Sequence, residues 1–151
     1  MSLDTLAIAG LLPHRGAMCL LDRMIGMDEQ TLTCQATSHA SPEHPLRGDQ
    51  GLGAAILIEY AAQAMALHAA LQAPGKTRTE LASGCHGVIA GVRRVNLYVG
   101  RIDTLASPLD ILVTLISGDS DGALYAFVIR ADGRLLADGR LTVVFLARTG
   151  S

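Results

Sequence analysis

Two periods organise the apolar positions of this chain. From Gly51 to Leu71 almost every residue is apolar: Gly-Leu-Gly-Ala-Ala-Ile-Leu-Ile-Glu59-Tyr-Ala-Ala-Gln63-Ala-Met-Ala-Leu-His68-Ala-Ala-Leu. That run predicts one long helix, closed by Pro74-Gly75, and a helix apolar on every face belongs inside a core or a membrane. Upstream, Cys19–Ile25 reads as extended, and Thr31–Thr37 alternates polar and apolar residues as a half-buried strand does. Residues 38–50 have no period and form a loop. Downstream the chain is strands to the end: Gly87–Val99, Asp110–Ile116, a turn over 117–122, Leu124–Arg130 and Leu135–Leu146. Asp132-Gly133 between the last two is a strong hairpin signal, and Gly139 marks a bulge.

The plan is an α+β domain, one helix against an antiparallel sheet. A flat sheet covers one side of a helix only. Burying this one requires the sheet to curl around it or a second subunit to finish the burial, which points to a strongly curved sheet and a dimer. At 151 residues the chain is expected to be a single domain over 1–151.

Composition removes several function classes. Aromatics are 3% of residues with no Trp, and the formal net charge is −2, so neither a stacking platform nor a basic footprint for nucleic acid is present. The three cysteines, Cys19, Cys34 and Cys85, are odd in number and widely spaced, against a disulfide framework or a zinc site. Met1–Ala9 carries Asp4 and no basic segment, which makes a poor signal peptide. Glu59, Gln63 and His68 argue against a membrane span over the long apolar run. The expectation is a cytoplasmic protein.

The candidate chemistry centres on Glu59. Six residues on either side of it are uncharged, and a carboxyl in apolar surroundings is paired, protonated or used. His44 lies fifteen positions upstream. A His and a Glu of raised pKa in one pocket suffice for general acid–base chemistry. His39 is the alternative loop histidine. Gln63 shares a helix face with Glu59 and is placed to hydrogen-bond it. His68, nine residues after Glu59, falls on the opposite face as a core or interface residue. Gly51 and Gly53 either expose backbone N–H groups at the helix start to polarise a carbonyl, or merely permit the turn. Cys85 and His86 are adjacent in an extended segment and point opposite ways, against a Cys–His pair.

The order Leu12-Pro-His-Arg15, Leu20-Leu-Asp-Arg23, a strand, a His44-Pro45 loop, then Ile58-Glu59-Tyr-Ala-Ala-Gln63 resembles the hotdog-fold 3-hydroxyacyl-[acyl carrier protein] dehydratases. Within them it is most similar to the branch associated with aryl polyene biosynthesis. The resemblance implies a curved antiparallel sheet wrapped around one long central helix, subunits paired edge to edge, and an acyl tunnel at their interface. It implies a catalytic His and a helix carboxylate from opposite subunits, by position His44 and Glu59. The spacing between them is one residue longer than in the family's His-Phe-Pro-Gly loop, so this loop takes another path.

On that resemblance the expected reaction is dehydration of a 3-hydroxyacyl thioester on acyl carrier protein. His44 would be the neutral base and Glu59 the acid, with Gln63 orienting Glu59. Gly51 and Gly53 would lie near the thioester carbonyl. No cofactor or metal is expected. The partners implied are acyl carrier protein and a second copy of the chain, or a related hotdog subunit in a heterodimer. Arg93, Arg94 and Arg101 are candidates for a basic rim facing an acidic carrier. Two alternatives share these residues: a hotdog acyl thioesterase, and a non-catalytic acyl-binding or heterodimer partner.

Overall fold

The period-two segment Thr31–Ala36 is a strand whose Leu32, Cys34 and Ala36 are buried while Thr31, Thr33 and Gln35 face outward. This alternation repeats along the sheet. The computed structural model describes Asp4 and residues 19–72, 85–119 and 121–147. The Leu12–Arg15 turn with His14, the Pro74-Gly75 helix stop and the side chains of Cys85 and His86 lie outside the described residues. The strands are β1 (Arg23–Met27), β2 (Thr31–Ala36), β3 (Cys85–Leu97), β4 (Leu109–Gly118), β5 (Gly122–Ala131) and β6 (Arg134–Ala147), with one long helix, α1 (Leu57–Gln72), between β2 and β3.

All pairings are antiparallel, in the order β1-β2-β4-β5-β6-β3. Helix α1 touches β2, β4, β5, β6 and β3. Five flat strands at about 4.8 Å spacing would span roughly 19 Å between the outer two, against a helix about 10–12 Å across. The sheet therefore curls around the helix, and this is the hotdog fold. Asp132 and Gly133 both adopt positive φ, as a two-residue primed hairpin turn requires. The irregularity signalled by Gly139 lies on the neighbouring strand. β3 bulges between Arg93 and Asn96, and a Cβ on Gly139 would lie 2.7 Å from Val95 Cγ2.

The helix starts later than its composition predicts. Gly51 has φ +87°, which no helical residue can hold, the Leu52 N–H donates to Asp103 Oδ1 (3.1 Å), and the Ala54 N–H donates to the Gly100 carbonyl (3.0 Å). A 3₁₀ turn over Ala54–Ile56 follows, and the α-helix begins at Leu57. Ala54–Gln72 is long and apolar enough to cross a membrane by length and composition, yet its buried Gln63 and His68 both bond to protein. The stripe Ile58, Ala62, Ala66, Ala69 and Ala70 is only half-buried. On that side the sheet does not reach.

His68 is fully buried on the sheet-facing side, opposite Glu59 as its spacing predicts. Its Nε2–H donates to the Asp28 carbonyl (3.1 Å), so Nδ1 carries the lone pair that accepts the Tyr125 hydroxyl (2.8 Å). The latch ties the last turns of α1 to the β1–β2 turn and to β5. Tyr125→Phe leaves that buried nitrogen without a donor, and urea titration should show a loss of about 1–2 kcal/mol.

Candidate active site

Glu59 is half-buried on the side of α1 that the sheet leaves uncovered, while Gln63, one turn on, is fully buried. The Leu20 N–H donates to Gln63 Oε1 (2.9 Å), which fixes the orientation of the amide. Its Nε2 therefore turns toward Glu59 and donates to Oε1 at 3.5 Å. The contact is long but directional: Glu59 meets a donor at Oε1.

His44 sits in a loop closed on itself. Its N–H donates to the Ser41 carbonyl, its carbonyl accepts from Arg47 N–H, and the Arg47 guanidinium reaches back to the Ser41 carbonyl (3.0 Å). The Leu46 N–H donates to His44 Nδ1 (3.0 Å). A neutral ring with Nδ1 accepting must carry its proton on Nε2, which faces the Tyr60 hydroxyl at 3.1 Å. The hydroxyls then run one way. Tyr60 Oη–H donates to Ser38 Oγ (2.6 Å), and Ser38 Oγ–H donates to the Leu20 carbonyl (2.8 Å).

Both ring nitrogens of His44, the residue expected to act as the neutral base, are engaged within the chain. His44 is also only 5% exposed. It contacts Tyr60, which is about 100° around the helix from Glu59. The structure links His44 to Glu59 through Leu20, whose carbonyl ends one hydrogen-bond path and whose N–H begins the other.

His39, the alternative loop histidine, is 1% exposed. Its Nε2–H donates to the Leu105 carbonyl (3.1 Å), and its Nδ1 is the one buried side-chain polar atom without a partner among the described residues. Burial chiefly holds both rings below the ordinary histidine pKa. For His44 the Arg47 charge adds to this, and for His39 the Leu105 and Ser107 carbonyls partly oppose it.

The two glycines before the helix have separate duties. Gly51 and Gly48 exchange both backbone hydrogen bonds (3.0 Å each), so the Gly51 N–H is engaged in the turn. Gly53 bridges Arg101, with the bonds carried by its neighbours Leu52 and Ala54. That pattern turns the Gly53 N–H away from Arg101.

Asp103 holds this corner. Its carboxylate accepts from Arg101 Nε (3.1 Å) and Nη2 (2.6 Å), from Arg47 Nη1 (3.5 Å) and from the Leu52 N–H. The Arg101 guanidinium, then the Leu52 N–H, keep it ionised far below the usual carboxylate range. Arg101 is thus committed to Asp103 rather than to a basic rim. Asp103, Tyr60 and Ser38 were not singled out from sequence. Tyr60 sits beside Glu59 in the helix motif, but nothing local in the chain announces Asp103. Among the described residues, no three His, Cys, Asp or Glu side chains converge as a metal-ligand set.

Two outcomes follow from this geometry. His39 and His44 titrate below 6.5 when folded, so as pH falls through 6.5 the unfolded chain binds protons first and stability declines. The urea midpoint should drop between pH 7 and pH 5, and replacing both rings by Asn should flatten that part of the profile. Gly51→Ala places a Cβ against Asp103 Oδ2 and Arg101 Nη2 on a left-handed backbone. It should destabilise the chain by about 1–3 kcal/mol in the same assay.

Comparison with known proteins then identifies the architecture. The ApeP-like family, described as ApeP dehydratase, matches residues 6–148. A chain of "The Dehydratase Heterocomplex ApeI:P from Xenorhabdus doucetiae" is 27% identical, superposes with a TM-score of 0.79, and aligns over 94% of this chain and 92% of its own. A hypothetical protein from Staphylococcus aureus (12% identity, TM-score 0.59, 82% and 92% covered) shares the fold. So does the PaaI protein from the E. coli phenylacetic acid degradation operon (15%, 0.53, 80% and 80%). No protein of curated function matches the sequence. With a match running almost end to end, this chain belongs to the ApeP-like dehydratase family.

Proposed function

We propose that the chain, a single hotdog domain over residues 1–151, works in the cytoplasm on a 3-hydroxyacyl thioester borne by acyl carrier protein, releasing water to leave the trans-2-enoyl thioester. The observation that carries this reading is the Glu59–Gln63 pair in a dehydratase-family chain: a half-buried carboxyl whose Oε1 accepts from an amide held by Leu20. A carboxyl proton on Glu59 then passes to the departing hydroxyl as the C–O bond breaks. The Gly53 N–H, beside the start of the helix, is the backbone donor suited to the thioester carbonyl, whose polarisation acidifies the α-carbon. Gly51 holds the turn. The reaction written this way draws on no metal or organic cofactor.

The α-proton needs an acceptor. In a homodimer that would be His44 of the facing subunit, and the Leu46 N–H would first have to release Nδ1. A specific observation favours a second arrangement: His44 and His39 are both enclosed, and His44 has both nitrogens engaged. In that arrangement a related hotdog subunit supplies the base and this chain supplies the Glu59 half of the site. The Xenorhabdus doucetiae neighbour is itself a heterocomplex.

Mass spectrometry of a 3-hydroxyacyl-carrier substrate separates these readings, because loss of water and loss of the acyl chain differ in mass. Glu59→Gln should lower water loss by about 100-fold or more. His44→Ala should abolish it if the homodimer is the working form, and should leave it intact in a mixture with a related hotdog subunit if that subunit holds the base. Release of the free acid in place of water loss would make the protein a thioesterase.

A further inference from the structure

The outer surface where β6 meets β3 holds a charge arrangement that folding alone does not favour. Arg93 and Arg140 are direct cross-strand partners, and both are exposed. Like charges facing one another across a strand pair repel. Beside them, in the β3 bulge, exposed Arg94 adopts φ +51°, a left-handed conformation that a side chain of this kind seldom takes. The nearby carboxylate, Asp138, makes no ion pair with them among the described residues. Asp138 accepts from Asn96 Nδ2 (3.0 Å) and from the Tyr98 hydroxyl (3.1 Å). None of the three arginines makes an ion pair among the described residues, where Arg47 and Arg101 carry the described ones.

The row continuing across the sheet from Arg140 is Ala126, Thr114 and Thr31. These are small side chains, lower than the arginines beside them. In a chain of net charge −2, this is a local concentration of positive charge.

We propose that Arg93, Arg94 and Arg140 form the docking surface for the acidic carrier protein that brings the thioester. The proposal rests on the carrier-borne substrate put forward above. It moves the basic surface away from Arg101, which Asp103 occupies, and adds Arg140, which the β3–β6 register brings opposite Arg93. Attraction between opposite surfaces raises the encounter rate and weakens with salt.

The test is titration of carrier protein without an acyl group onto the assembled protein, which needs no turnover. Arg93→Ala/Arg140→Ala should weaken carrier binding about tenfold and lessen its salt dependence, while Arg134→Ala on the exposed β5–β6 hairpin should not. Thermal stability should not fall, because each substitution relieves the other's repulsion. Turnover of the same acyl group on a short carrier-free thioester should be unchanged in the double variant. Equal carrier affinity in wild type and variant would overturn the docking surface, as would equal losses on both substrates or a changed subunit stoichiometry. Absence of water loss from either substrate in the wild type would instead defeat the dehydratase reading, and the carrier titration would still decide the surface.

Discussion

Every polar atom on α1 that the sheet encloses must find a partner, and those partners come from chain segments far apart in sequence. Gln63 takes the Leu20 N–H, Tyr60 takes Ser38 and His44, and His68 takes Tyr125 and the Asp28 carbonyl. A buried donor or acceptor left unmade costs about 1–3 kcal/mol, comparable to a sizeable part of a small domain's net stability. The helix therefore does more than fill the sheet. Its few polar side chains act as pegs that set the height and orientation of the segments around it.

The same requirement fixes the protonation pattern of the site. Directionality enters at backbone groups, whose donor and acceptor roles cannot change: the Leu46 N–H at one end and the Leu20 carbonyl at the other. Between them the His44 tautomer and both hydroxyl protons have one consistent arrangement. Adding a proton to His44 would set an N–H against the Leu46 N–H, which agrees with a ring held neutral by burial and by Arg47. Asp103 works by the opposite means. It stays charged because the Arg101 guanidinium and the Leu52 N–H hold it, and with Arg47 it ties the His44 loop, the start of the helix and the segment after β3 together.

The strands, the Asp132-Gly133 hairpin and the opposite placement of Glu59 and His68 were legible in sequence because each depends on a local period or on one turn. What was not legible depends on distant partners. The late helix start needs Asp103 and Gly100, about fifty residues after the Leu52 and Ala54 amides they restrain. The His44 tautomer needs one amide two residues away and one hydroxyl on the helix. Arg101 looked like a free surface charge because its partner matters only once Leu52 and Arg47 converge on it. Gly139 correctly announced an irregularity, but the room it leaves is taken up by Val95 on the next strand.

The placement of Glu59 argues about how the site is completed. The sheet claims the His68 side of α1, so Glu59 and the half-buried stripe of Ile58, Ala62, Ala66, Ala69 and Ala70 face the side that the sheet leaves uncovered. Small side chains there permit close approach of another subunit, and that approach would desolvate the carboxyl and favour its neutral form. The loop histidines, by contrast, are already enclosed within one chain, His44 with both ring nitrogens bonded and His39 with one. On the proposed chemistry, a chain that presents its acid outward and encloses its own histidines is suited to receive a base from across the interface.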